Sequence, residues 1–334
     1  MLRGLRFRYA RWRAVREASR GLPAPTASER ALIDELRRGC AALRVEPTEG
    51  RTPNAADWAT AMNRLRSLVR TADPRAFLRW DVIIARMAPR HSLVTPMALA
   101  ELRARVDWEA RWKGALRECD AGRPNRYAEY PDSSEPLIQS AHVLAQMESL
   151  SGWPITSWDT IYEFGGGFGN LCRLAHNLGF RGRYVILDLA PFTLLQRYYL
   201  RSAGIIQEGD DDRIVLTSDV SVVERLLDGK AESERALFVA WWSLSETPLA
   251  LRERIRPLAQ RIGDYWIAYQ ERYGEVDNVN YFGHAWLDGP RRACRDPHRS
   301  SDHFLAGGRI EDGIVLGDAR GACASSLRAS ARRW

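Results

Sequence analysis

The chain has 334 residues, 45% hydrophobic and 27% charged, which is ordinary globular material sufficient for two domains or one large domain with an extension. Its formal net charge of +7 is almost wholly arginine, spread along the chain, and reads as solvated faces and ion pairs rather than a nucleic-acid footprint. No apolar run approaches the roughly 18 residues that span a bilayer, and the opening residues lack the uninterrupted apolar stretch of a secretory signal, so a cytoplasmic protein is expected.

The first sixteen residues interleave arginine with Leu, Phe and Trp. As a basic amphipathic helix they could make peripheral contact with a membrane surface or a partner, although a plain surface helix explains them equally well. Residues 1–125 as a whole read as a helical domain, serving as a lid or for dimerisation, and the latter would make the protein a homodimer. Thr26 and Glu29 form a capping-box pair ahead of a helix whose face carries Leu32, Leu36, Cys40 and Leu43. Trp58, Met62, Leu65 and Leu68 repeat that pattern. Asp73-Pro74 and Thr95-Pro96 read as helix starts, the second opening a segment with Leu99, Leu102, Val106 and Leu116. Trp80, Trp108 and Trp112 are expected in the core. The run R-P-N-R-Y-A-E-Y-P-D-S-S-E-P, ending at Pro136, reads as a loop or linker, and a helix over 137–150 follows. The five cysteines, Cys40, Cys119, Cys172, Cys294 and Cys323, have no C-x-x-C spacing and read as free thiols, not as a disulfide framework or zinc site.

From Thr160 the texture changes. I-Y-E-F, R-Y-V-I-L-D-L, R-I-V-L-T-S-D, A-L-F-V-A-W-W-S and D-Y-W-I-A-Y-Q alternate with helix patterns, and D-H-F-L-A-G-G-R looks like a closing strand. This alternation predicts an α/β domain over 126–310, built on a doubly wound, mostly parallel, Rossmann-like sheet. Residues 311–334 read as a loose tail.

In such a sheet a ligand sits beyond the C-terminal ends of the strands, at the switch point. The turn after the first strand, E-F-G-G-G-F-G-N, fits that place, with Glu163, Gly165, Gly166, Gly167 and Gly169. The dinucleotide pattern G-x-G-x-x-G fails, because the position of its third glycine is Asn170. The spacing present, acid-x-G-x-G-x-G, resembles the first motif of class I S-adenosylmethionine-dependent methyltransferases. Glycines there let the backbone approach a ligand that has no pyrophosphate. The next strand ends in Asp188, followed by Leu189, where an acid suits a bidentate hydrogen bond to a ribose diol. The third ends in Ser218 and Asp219, placed to meet an adenine amino group, although Ser-Asp is also a normal helix cap. Trp241 or Trp242 could stack on adenine or a sugar face.

The same stretch, with Leu195-Gln196, Tyr198-Tyr199 and the downstream W-W-S-L-S-E-T-P, is similar to the sugar O-methyltransferase family over roughly residues 125–310. Ala190-Pro191 and Thr247 depart from that family's pattern. The resemblance implies a class I methyltransferase fold, S-adenosylmethionine as cofactor, and a small-molecule acceptor, a hydroxyl of a sugar or glycosylated metabolite. A sugar hydroxyl is a poor nucleophile, so a base is needed. Glu246 and His284 are the candidates, from the loops after the fourth and fifth strands; Glu271 is a lesser one. His91, His142 and His176 read as structural. Asp277, Asn278 and Asn280 make too weak a set for a metal, and none is expected. Nucleic acid is not expected as a substrate, since no Asn/Asp-Pro-Pro-aromatic segment follows the fourth strand. A methyltransferase of other small molecules or of nucleic acid, and a non-catalytic cofactor-binding protein, are the alternatives.

Overall fold

The computed structural model describes residues 15, 17–47, 53–87, 94–207, 209, 212–284, 286, 291–295 and 302–307. The opening basic stretch and the tail after 307 lie outside them. Helix α1 (Ala27–Ala42) starts as its sequence predicts: the Thr26 hydroxyl accepts the Glu29 N–H, and the Glu29 carboxylate accepts the Thr26 N–H at 2.7 Å. It buries Ile33, Leu36 and Cys40, and α2 (Pro53–Thr71) buries Met62, Leu65 and Leu68. Asp73 caps a 3-10 turn, Pro74–Arg79, that leads into α3 (Asp81–Arg86).

The second expected helix start moves. Helix α4 (Val94–Ala104) holds Thr95 inside it, where its buried hydroxyl receives the Gln139 amide at 2.9 Å. The helix also stops before Val106, which is fully exposed, and a π-helical turn over Trp108–Trp112 buries both tryptophans instead. The expected linker at Pro124 to Pro136 contains a small hairpin, β1 (Arg126–Tyr127) and β2 (Tyr130–Ser134), then helix α5 (Glu135–Ser151), capped by Ser134. Strands this short bury too little for an alternating pattern to show, and the Glu118 N–H bond to the Asp132 carbonyl at 2.8 Å ties the hairpin down instead.

The sheet follows in alternation: β3 (Thr160–Phe164), α6 (Asn170–Asn177), β4 (Arg183–Leu187), α7 (Ala190–Ser202), β5 (Ile214–Thr217), α8 (Val220–Asp228), β6 (Ala236–Trp241), α9 (Leu249–Ile262) and β7 (Gly263–Gln270). A minor hairpin, β8 (Arg272–Tyr273) and β9 (Val276–Asp277), precedes α10 (Asn278–His284); β10 (Arg291–Arg295) and β11 (Asp302–Gly307) complete the sheet. Its order is β10-β11-β7-β6-β3-β4-β5, with β3 to β7 parallel and β11 antiparallel to both neighbours. The fold is thus the doubly wound, mostly parallel, Rossmann-like one expected. Counted within the sheet the order is 3-2-1-4-5-7-6, whereas the dinucleotide-binding order is 3-2-1-4-5-6. The reversed β11, wedged between β7 and β10, makes the difference. The switch point lies between β3 and β6.

Neighbouring strand residues go to opposite faces, as the two-residue period demands. Ile161, Ile186, Val239 and Trp266 join a cluster with α5, α6, α7 and the N-terminal helices, while Tyr162, Val185, Ala240 and Ile267 pack against α8, α9 and α10. Both faces are covered, which is why the strands read as continuous apolar runs. Among the described residues, no helix is long and apolar enough to cross a membrane.

Candidate active site

The glycine turn leaves the end of β3 at the switch point and enters α6 at Gly169. Gly165 has φ +71°, and a Cβ there would lie 2.4 Å from the Ser243 Cβ, so position and handedness both exclude a side chain. At Gly166 an added Cβ would meet Ile186 Cγ2 at 2.7 Å and the Glu163 carboxylate at 3.0 Å. The turn therefore lies directly on the acid that precedes it. Gly167 follows with φ +60°.

Glu163 is buried beneath the turn, and its Oε2 accepts the Tyr184 hydroxyl at 2.9 Å. Burial pushes its carboxyl up to about 8, against the stabilising Tyr184 bond and with the neighbouring Asp188 adding to the rise. Asp188 is half-buried at the end of β4. Its Oδ2 accepts the Gly167 N–H at 3.0 Å and the Gln196 amide at 2.7 Å, and its Oδ1 accepts the Leu189 N–H at 2.7 Å. Burial raises it to about 7 in spite of those donors. Three of its roughly four acceptor positions are already taken, so the remaining one, on Oδ1, is what an incoming hydroxyl could use. Gln196 also donates to the Gly167 carbonyl at 2.9 Å, locking the turn to the strand end. Leu189 is exposed beside Asp188, at the start of α7.

Ser218 and Asp219 lie exposed beyond β5. Asp219 caps α8: it accepts the Ser221 N–H at 2.9 Å and the Ser221 hydroxyl at 2.7 Å, and these bonds hold it below the usual carboxylate range. On the other side of the turn, the Ser243 hydroxyl donates to the Phe164 carbonyl. The preceding Trp242 is half-buried with φ +58°. A bulky residue in that region costs on the order of 1–3 kcal/mol, and such strain clusters at functional sites. The surroundings impose it: the Trp242 N–H donates to the Ala268 carbonyl at 2.6 Å, and the Ser245 hydroxyl donates to the Trp242 carbonyl at 2.6 Å.

Glu246 ends a single 3-10 turn, Leu244–Glu246, and does not cap α9, whose N-cap Pro248 has no side-chain bond. Burial pushes it up to about 7, Arg86 pulls it down, and Asp57 raises it again. The loop that carries it is anchored by Arg252, a buried cation held by neutral groups. Arg252 donates to the Thr247 carbonyl at 3.0 Å, the Ser245 carbonyl at 2.5 Å and Asn278 Oδ1 at 2.7 Å. Asn278 in turn donates to the Gln270 carbonyl at 2.9 Å, and Asp277 accepts the Asn280 N–H at 3.0 Å. His284 closes α10, but its side chain lies outside the described residues, as does His91. His142 pairs with Glu101 at 2.8 Å, and His176 Nδ1 lies 2.8 Å from the Cys172 carbonyl, both buried.

The structure brings together Glu163, the glycines, Asp188, Leu189 and Trp242, with Glu246 on the same loop as Trp242. It adds residues that the sequence did not single out for the site. Gln196 stood in the Leu195-Gln196 pair of the family resemblance and could have been weighed there. Tyr184 and Ser243 carried no signal of their own. Arg86 and Met87 come from the helical segment: Met87 Sδ lies 3.5 Å from where a Gly167 Cβ would be, and Arg86 acts on Glu246.

No family model and no curated protein sequence matches the chain. Among solved structures it is similar to the pyocyanin biosynthetic protein PhzM, at 16% identity over 85% of this chain and 95% of that one, TM-score 0.36. It is similar too to the mitomycin 7-O-methyltransferase MmcR, at 14% identity over 85% of this chain and 98% of that one, TM-score 0.34. The N-terminal domain of human METTL16 in complex with SAH matches at 12% identity over 53% of this chain and 71% of that one, TM-score 0.34. The fold rests on the strand order and not on these likenesses.

Proposed function

We propose that this protein is a cytoplasmic S-adenosylmethionine-dependent methyltransferase acting on a hydroxyl of a small molecule, a sugar or glycosylated metabolite. The observation that carries the reading is the joined unit of glycine turn and acid, in which Gly167 donates to Asp188 while Gln196 bridges the two. The residues fit the cofactor: a side-chain-free turn admits the ligand backbone-close, and Asp188 Oδ1 keeps an acceptor position for a ribose hydroxyl. Leu189 and Trp242 would flank the adenosine, and Ser218 and Asp219 would lie at its far end. Bound there, S-adenosylmethionine would supply an electrophilic methyl group on a sulfonium.

The chain's own part is to hold the acceptor in line, exclude water and take a proton. Glu246 is the favoured base, because its half-buried carboxyl titrates near neutrality, where a base works best. His284 is the second candidate, from its place at the end of α10. The helical segment of residues 1–125 serves as the lid, with Met87 over the glycine turn. Free thiols at Cys40, Cys119 and Cys172 suit a reducing compartment.

Calorimetry tests the cofactor. S-adenosylhomocysteine is expected to bind at micromolar affinity and NAD not at all, with binding lost in Asp188→Ala; the reverse preference removes the assignment. A screen of sugar nucleotides and glycosylated metabolites with labelled S-adenosylmethionine then tests the acceptor class.

A further inference from the structure

Along the C-terminal half of α6 lies a cleft of about 360 Å³, within the size range of small-molecule sites. Arg117, Glu118 and Cys119 line it from the segment that follows the π-helical turn, Arg173 and Asn177 from α6, and Ala203 from just past α7. None of these residues belongs to the cofactor site. Helix α6 is eight residues long, and the glycine turn stands at its start, Asn177 at its end.

Arg173 is 2% exposed, yet it forms part of the cleft wall. Its Nη2 donates to Glu118 Oε1, and the guanidinium lies 5.9 Å from the centre of the Tyr199 ring. Its Nε has no hydrogen-bond partner among the described residues. A buried charged donor left unmade is costly, and native proteins rarely keep one. The neighbouring acceptors are already engaged. Glu118 Oε1 also accepts the Cys119 N–H at 3.1 Å, and its Oε2 accepts the Ser134 hydroxyl. At the ends of α6 and α7, the His176 carbonyl accepts the Gly179 N–H and the Arg201 carbonyl accepts the Gly204 N–H, both at 3.1 Å. What the cleft lacks is an acceptor. Charge points the same way: Glu118 balances Arg173, and Arg117, exposed at the rim, adds a positive charge.

We propose that this cleft is a second ligand site, which takes a small organic acid. One carboxylate oxygen accepts from Arg173 Nε, and Arg117 meets the charge. Glu118 sits on the neighbouring Nη2, so a single negative charge is tolerated better than the two of a phosphate. The site stands apart from methyl transfer and does not depend on that activity.

Cys119, a half-buried free thiol in the cleft wall, reports occupancy. The test follows its alkylation by iodoacetamide in the full chain, by mass spectrometry of the Cys119 peptide. Propionate is expected to slow the reaction saturably and phosphate to slow it less, while propionamide, of the same shape but uncharged, has no effect. Arg117→Glu is expected to abolish the protection. Arg173→Lys keeps the charge facing Glu118 but lacks the Nε–H, and is expected to weaken protection about tenfold. No protection by propionate, protection that does not saturate, equal protection by propionamide or phosphate, or protection unaltered in Arg117→Glu overturns the proposal. If Arg173→Lys does not fold, the Arg117→Glu result decides.

Discussion

Glu163 is a carboxyl placed where water cannot reach it, under a turn with no side chains to spare. Its ordinary value of 4.5 rises to about 8, so the folded protein holds the proton that the unfolded chain releases. Stability from this group is complete below about 4.5 and is lost as pH rises toward 8. Glu163→Gln keeps an acceptor for the Tyr184 hydroxyl and cannot ionise. It is expected to match the natural protein near pH 4.5 and to exceed it increasingly above, by on the order of 3 kcal/mol at pH 7. Urea unfolding at pH 5, 7 and 8 measures this, and a constant difference would show that Glu163 is not held neutral. At this scale the acids and glycines were legible in the sequence because they lie within 26 positions, Glu163 to Asp188. Gln196 and Tyr184, which hold those acids, look like any polar residue on a helix or strand until their neighbours are known.

Trp242 shows what an element can impose on a residue. The loop between β6 and α9 is pinned by Ser243 to the end of β3, by Ser245 to Gln270 at 2.7 Å, and by Arg252. Trp242, caught between these anchors, takes a left-handed backbone that glycine would adopt without strain. Trp242→Gly is therefore expected to shift unfolding free energy by less than about 1 kcal/mol, since relief of strain offsets the loss of a half-buried indole. Affinity for S-adenosylhomocysteine should fall at least about tenfold, the worth of roughly 1.4 kcal/mol of contact. Urea unfolding and calorimetry on the same preparation separate the two effects; full affinity would remove Trp242 from the binding site. Most elements could be read from periodicity and caps, as the capping box at Thr26 and the five parallel strands illustrate. The hairpin at Arg126–Ser134 and strand β10 could not, because their residues show no alternating apolar pattern and their place is decided by pairing partners.

Across the whole molecule, one apolar cluster runs from the N-terminal helices to the sheet, joining Leu36, Leu65 and Phe77 to Tyr199, Val239 and Trp266. Phe77 makes ring contacts with both Phe168, in the glycine turn, and Tyr199 of α7, at 6.1 and 5.6 Å. Leu65→Ala, at a fully buried position of α2, is expected to cost about 2–5 kcal/mol. If the shared core makes folding cooperative, helical and aromatic circular dichroism will shift together in one transition. A separate early transition of the helical signal would mean that residues 1–125 fold as an independent lid.

The amino-acid sequence by itself determined the order of most helices and of the five parallel strands, the place of the glycine turn and the acids at the first strand ends. Those features follow from periodicity and from backbone conformations that are local. Only the tertiary structure decided that Ser243 abuts Gly165, that β11 runs reversed between β7 and β10, and that Arg252 holds the carbonyls on both sides of Glu246. These are contacts between residues far apart in the chain. Burial, shape and charge select them together, and no short stretch of sequence carries that information.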